Sequence, residues 1–233
     1  MPLNTAKLKE KIQFTSDVFE LTFETPTTFN FEAGQFVTIK IADKTPPCFR
    51  AYSISSTPHE NGNIFSTCLK IIEGGRGSNW LNNLKPGDPI EFLGPNGKFT
   101  FKGEKQKSLF VATGTGITPF NSIISDQLNK GNTNPIQLLF GLRHIENIFY
   151  QDFFESLAKK HPNFSYDITL SQPENNSWAG KTGRVTDTLK TMEIDTANTE
   201  IYICGLKAMI DEVLIILKEK SVPEKNIYFE KFD

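Results

Sequence analysis

Apolar and polar residues alternate with a period of two through much of the first hundred positions. Phe36-Val37-Thr38-Ile39-Lys40-Ile41 does so without interruption, the pattern of a strand with one buried face. Phe14, Val18, Phe19, Leu21 and Phe23 form a strand-like stretch ended by Thr25-Pro26. Ile64 to Ile72 and Pro89 to Leu93 are two further extended runs. Ala33-Gly34, Asn61-Gly62, Pro86-Gly87-Asp88 and Gly94-Pro95-Asn96-Gly97 separate these runs with turn chemistry. Short strands joined in this way predict a small antiparallel β-barrel or sandwich.

The period changes after the charged stretch Lys102-Gly103-Glu104-Lys105-Gln106-Lys107, which sets a domain boundary between residues 1–103 and 104–233. Ser108 to Ala112 is a short apolar run of the kind buried in parallel sheets. Phe120, Ile123, Ile124 and Leu128 then recur at helical spacing. Ile136 to Phe140 predicts the next strand, Tyr150 to Lys160 a helix, and Phe164 to Leu170 and Glu200 to Cys204 further strands. Leu206, Met209, Ile210, Val213, Leu214 and Leu217 mark an amphipathic helix, and Ile227-Tyr228-Phe229 a closing strand. The alternation predicts an α/β domain built on a parallel sheet with helices on both faces.

Composition narrows the function classes. The formal net charge is -2, which gives no broad electrostatic case for nucleic acid. Cys48, Cys68 and Cys204 are too few and too scattered for a disulfide framework or a four-Cys iron–sulfur cluster, and no metal site is expected. Met1 to Glu10 has no apolar run and does not read as a secretory signal; no stretch approaches the roughly 20 apolar residues that span a bilayer. A cytoplasmic, monomeric protein without membrane insertion is the default expectation. The 20 Phe predict Phe-rich cores.

Four short motifs could carry chemistry. Gly114-Thr115-Gly116-Ile117-Thr118-Pro119 follows a predicted strand and opens a predicted helix. Glycines there let the backbone approach a pyrophosphate, and a helix N-terminus offers N–H groups to an anion. The loop ends in Pro where the common dinucleotide fingerprint ends in Gly, and a βα turn needing Gly for geometry alone is the plain alternative. In Arg50-Ala51-Tyr52-Ser53, Arg can pair with phosphate and Tyr can stack on a ring system. Gly74-Gly75-Arg76-Gly77-Ser78 can form an anion nest, or equally a hairpin or a helix cap at Ser78. Cys204-Gly205 closes a strand in the α/β half, where ligands of open sheets gather, although a buried Cys is more often a small hydrophobe.

In this order, with Glu230-Lys231-Phe232 at the end, the motifs resemble those of the ferredoxin–NADP(H) reductase superfamily. Ala33-Gly34-Gln35-Phe36-Val37, Leu84 to Asp88 and Gly94 to Phe99 fit the same family, so the resemblance spans nearly the whole chain. It implies an N-terminal FAD-binding β-barrel and a C-terminal NAD(P)-binding α/β domain. By that resemblance Arg50 binds the flavin pyrophosphate, Ala51 and Tyr52 line the flavin with Tyr52 stacked on its ring, and Ser53 lies near flavin N5. Cys68, Lys70 and Thr115 would line the flavin edge, and Gly75, Arg76, Gly77 and Ser78 would hold the pyrophosphate. Gly114, Thr115, Gly116, Ile117, Thr118, Pro119, Arg143, Cys204 and Gly205 would receive NAD(P)H. Ser53, Cys204 and Glu230 would serve hydride transfer, and Phe232, followed by Asp233, would cover the flavin.

The implied activity is an FAD-dependent NAD(P)H reductase passing hydride to FAD and then single electrons to a separate acceptor such as ferredoxin or flavodoxin. The alternatives are the reductase component of an oxygenase or haem system, and a non-catalytic flavin- or nucleotide-binding module. Gly141-Leu142-Arg143-His144 has no acidic residue to accept a ribose 2′-OH, and Arg143 could pair with a 2′-phosphate. That leans to NADPH and leaves NADH open.

Overall fold

The computed structural model describes residues 3–58, 62–174 and 178–232. Met1, Pro2, Asn61 and Asp233 of the stretches read above lie outside them. The chain divides into two compact units, Met1–Phe101 with Thr118–Asn129, and Lys102–Ile117 with Lys130–Asp233.

In the first unit six strands form one antiparallel sheet: β1 (Asn4–Gln13), β2 (Val18–Glu24), β3 (Phe36–Ile41), β4 (Cys48–Ser53), β5 (Ile64–Lys70) and β6 (Pro89–Asn96), in the order β4-β3-β6-β1-β2-β5. The edge strands meet through Thr67 Oγ1, which donates to the Ser53 carbonyl at 2.9 Å, and Ser55 N–H, which donates to the Ser66 carbonyl at 2.8 Å. The sheet thereby closes into a barrel. Phe23, Phe29, Phe65 and Phe92 fill it, with ring centroids 5.1–5.3 Å apart along the contacts of Phe65 and between Phe29 and Phe92. Two helices belong to this unit, α1 (Arg76–Asn82) and α2 (Thr118–Asn129).

The pattern reading passed over β1. Only Ala6 and Leu8 of its ten residues are buried, too few to register as alternation, yet it lies between β6 and β2. Phe14 falls in the turn before β2, where Thr15 Oγ1 accepts the Val18 N–H at 3.0 Å.

The second unit is a parallel sheet of β7 (Lys107–Thr113), β8 (Ile136–Leu142), β9 (Phe164–Leu170), β10 (Lys181–Thr182), β11 (Thr199–Leu206) and β12 (Ile227–Phe232), ordered β10-β9-β8-β7-β11-β12. On one face Leu109, Val111, Ile201 and Ile203 pack with Val185 and Leu189 of α4 (Val185–Thr191) and Ile210, Val213 and Leu217 of α5 (Lys207–Glu219). On the other, Phe110 stacks on Tyr202 at 4.8 Å, and Phe154 of α3 (Gln151–Lys160) meets Phe140 and Tyr166. β10 and α4 are additions to the sequence reading. Each is too short to build a period; α4 shows only Val185 and Leu189 as an i, i+4 pair.

Strands β8 to β10 lie to one side of β7, and β11 and β12 to the other. The direction of winding reverses between β7 and β11, which opens a crevice at the carboxyl ends of those two strands.

Candidate functional site

In the first unit, β4 carries Arg50 and Tyr52 on alternate positions toward the start of α1. Arg50 and Ala51 are exposed, Tyr52 half-buried and Ser53 buried. A methyl group at Gly77 would stand 2.5 Å from the Tyr52 hydroxyl and 2.9 Å from Arg50 Cγ. Any larger residue there would push both side chains off the helix start, so glycine is the residue this packing requires. Burial pushes the Tyr52 phenol up to about 12, against the opposing pull of Arg50, so it stays neutral and presents a flat ring.

The turn before α1 is pinned from within. Gly75 N–H donates to the Ile72 carbonyl at 2.8 Å, and Ile72 N–H donates to Ser78 Oγ at 3.0 Å. The helix starts at Arg76 with Gly75 as its cap, so Ser78 lies inside the first turn rather than capping it. Arg76 turns elsewhere: its Nε donates to Asp43 at 2.6 Å and its Nη2 to the Lys44 and Pro46 carbonyls. Lys70 pairs with Asp17 at 2.9 Å. The Cys68 carbonyl accepts the Thr118 hydroxyl at 3.1 Å, which anchors α2, with Pro119 in its first turn, to β5.

In the second unit, Gly114-Thr115-Gly116-Ile117 makes a single 3₁₀ turn directly after β7. A methyl at Gly116 would run into the Cys204 carbonyl and come within 2.8 Å of Gly205 Cα. The turn therefore lies against the end of β11, an approach only glycine allows. Cys204 is fully buried and stands in register with Glu230 of β12. Burial, reinforced by the Glu230 charge, raises its thiol well above the usual range, so Cys204 is a neutral S–H. Glu230 and Phe232 are half-buried, and Phe232 is in register with Leu206. Arg143 is exposed just beyond β8, its carbonyl accepting the Gln172 N–H at 2.8 Å.

One residue escaped the sequence reading. Thr113 ends β7, and its Oγ1 is buried without a hydrogen-bond partner. It lies where a methyl at Gly205 would come within 2.5 Å. At a strand's carboxyl end, where ligands of open sheets gather, this hydroxyl has no partner among the described residues. Its signal was its place, immediately before Gly-x-Gly.

Residues 5–101 match the family model described as an oxidoreductase FAD-binding domain, and residues 110–214 the one described as an oxidoreductase NAD-binding domain. Ferredoxin–NADP reductase B of Sorangium cellulosum is 37% identical over 226 residues, covering 93% of this chain and 92% of that protein. The toluate 1,2-dioxygenase electron transfer component of Pseudomonas putida is 31% identical over 205 residues, covering 87% of this chain but 59% of the relative. The chain thus spans little more than half the length of that component. The crystal structure of a ferredoxin NADP+ reductase from Neisseria gonorrhoeae, solved with FAD and NADP, superposes with a TM-score of 0.87 at 20% identity over 99% of each chain, a likeness of fold.

Proposed function

The chain belongs to the ferredoxin–NADP(H) reductase superfamily, and on that premise we propose that it takes hydride from NAD(P)H and delivers electrons singly to a separate acceptor protein. One observation carries the reading: the match to a ferredoxin–NADP reductase runs the length of both chains. The glycine-dependent cradles at Gly77 and Gly116 lie within the segments that match the FAD- and NAD-binding domain families.

The cradles suit their ligands. The first offers an exposed Arg50 for phosphate, a neutral aromatic face at Tyr52 and a backbone turn that no Cβ obstructs. FAD held there would supply a ring able to take up hydride and give up electrons one at a time. We assign Arg50 to the flavin pyrophosphate, Tyr52 to stacking, and Ser53 to the reactive edge of the ring. Arg76 holds the Asp43–Pro46 loop, so its share in the pyrophosphate site is its backbone N–H. For NAD(P)H, Gly114 to Ile117 and Thr113 form the floor of the crevice, and Cys204 and Glu230 border it. The neutral Cys204 thiol positions by contact and hydrogen bonding and does not act as a base. Arg143 favours a 2′-phosphate on the coenzyme. We keep 103/104 as the boundary of the two functional halves, and the cytoplasm as the location where a nicotinamide-driven reductase finds its reductant.

An oxygenase rather than a ferredoxin is the second reading of the acceptor, supported by the 31% identity to the toluate dioxygenase component. The purified protein tests the common core. It should bind FAD, turn yellow, and bleach on anaerobic addition of NADPH or NADH. A colourless protein that takes up no added FAD, or a flavin that neither coenzyme bleaches, would overturn the proposal.

A further inference from the structure

Strand β12 ends the parallel sheet, hydrogen-bonded to β11 on one side only. Such an edge usually carries proline, a bulge or inward charges to stop it pairing with another chain. This one reads Ile227-Tyr228-Phe229-Glu230-Lys231-Phe232, with aromatic or aliphatic side chains at four of six positions and a single lysine, Lys231, whose Nζ is drawn to Asp211 and the Phe229 ring. Beside it, between α5 and β12, runs a groove of about 650 Å³ lined mainly by Leu214, Ile215, Val222, Ile227 and Phe229. Ile215 is 60% exposed and Phe229 46%. Phe229 alternates with Tyr228 and Glu230, so the groove opens on the sheet face away from Tyr228, which stacks on Tyr202.

The outward stripe of α5 identifies the occupant. Asp211, Ile215 and Lys218 recur at i, i+4, i+7, with Leu214 beside Ile215. The acid and the base are equidistant from the midpoint between Leu214 and Ile215. Turned through a two-fold axis at that midpoint, the helix sets Asp211 of one copy, which within its own chain pairs with Lys207 at 2.5 Å and Lys231 at 3.5 Å, against Lys218 of the other, twice, with the apolar pair at the centre. A two-fold axis normal to the sheet would also run the two β12 edges antiparallel and keep both α5 helices on the same face. Lys218 has no ion-pair partner within the described residues.

We propose that the α5–β12 face binds a second copy of this chain in a two-fold dimer, joining the two parallel sheets edge to edge. This revises the monomer expected from sequence and does not depend on the redox reading. Sedimentation velocity of the full chain, with and without added FAD, across a concentration series tests it. Wild type should pass from a species of 26.3 kDa to one of twice that mass. Ile215→Glu, at an exposed position that folding tolerates, should remain monomeric. Lys218→Glu creates two like-charge contacts per dimer and should weaken association about tenfold or more. The double variant Asp211→Asn/Lys218→Glu, which removes the like-charge contacts without setting a third lysine beside Lys207 and Lys231, should regain part of that loss. A wild type that stays monomeric throughout, a dimer indifferent to Ile215→Glu, or a double variant no better than the single would each overturn the proposal.

Discussion

Cys204 shows how much a residue's role depends on its surroundings. A thiol becomes a nucleophile only as thiolate, which a nearby cation or a helix N-terminus favours. At Cys204 the opposite influences dominate: it is enclosed at the end of β11 and faces the Glu230 carboxylate, and both hold the proton on sulfur. Cys48 is only half-buried, on the edge strand β4, while Cys68 is buried. Native protein treated with iodoacetamide at neutral pH should therefore be alkylated at Cys48 and spared at Cys204 and Cys68, with all three modified after denaturation. Peptide mass mapping reads the result, and rapid native labelling of Cys204 would show that its thiol is ionised and reachable. The sequence set Cys204 beside Glu230 only by resemblance. Their pairing depends on the register of β11 against β12, which no local pattern in either strand encodes.

At the scale of the element, β11 carries structure at one end and chemistry at the other. Glu200, Tyr202 and Cys204 share a face by alternation, while Ile201 and Ile203 pack beneath α4 and α5. Glu200 is fully buried and accepts the N–H groups of Gly103 and Glu104 at 3.1 and 3.3 Å and the Ser108 hydroxyl at 3.3 Å. Tyr202 accepts the Lys102 N–H at 2.8 Å. Together they bind the charged stretch that marks the domain boundary in the sequence to the base of the sheet. Burial raises the Glu200 carboxyl above the usual glutamate range, against the pull of its hydrogen bonds. The folded state then holds this proton more tightly than the unfolded state. Its contribution is fully present below the unfolded value and is lost as pH rises through the folded one. Glu200→Gln cannot titrate and leaves one donor without an acceptor, a cost of about 1–3 kcal/mol partly offset by removing a buried charge. In paired thermal melts, the stability difference should move in favour of wild type as pH falls from about 7.5 to about 5. A difference that ignores pH would show that burial does not raise the Glu200 carboxyl. Elements with long periodic runs, such as β3 and α5, were legible in the sequence. The anchor was not, because a Glu inside a strand looks like any solvated carboxylate until its donors arrive from a hundred residues away.

For the whole molecule, the decisive quantity is the electron balance. A hydride from NAD(P)H carries two electrons, whereas a ferredoxin or flavodoxin passes on one at a time. Cys48, Cys68 and Cys204 cannot assemble a four-Cys cluster to split the pair, and among the described residues no group of three His, Cys, Asp or Glu could hold a metal. A flavin can take up the pair as hydride and give it up one electron at a time. Lys and Arg number 25 against 27 Asp and Glu, so the chain carries almost no net charge. A small one-electron oxidant can therefore stand in for the protein partner and report on the flavin alone. Under anaerobic conditions, ferricyanide reduction measured against NAD(P)H oxidation should give about two equivalents per coenzyme consumed. The same ratio should hold over a wide range of salt, because it counts electrons rather than encounters. Coenzyme consumed only to about one equivalent per flavin, with no ferricyanide reduced, would mean that the reduced flavin does not release single electrons, and the acceptor would then have to be sought among two-electron oxidants rather than single-electron carriers.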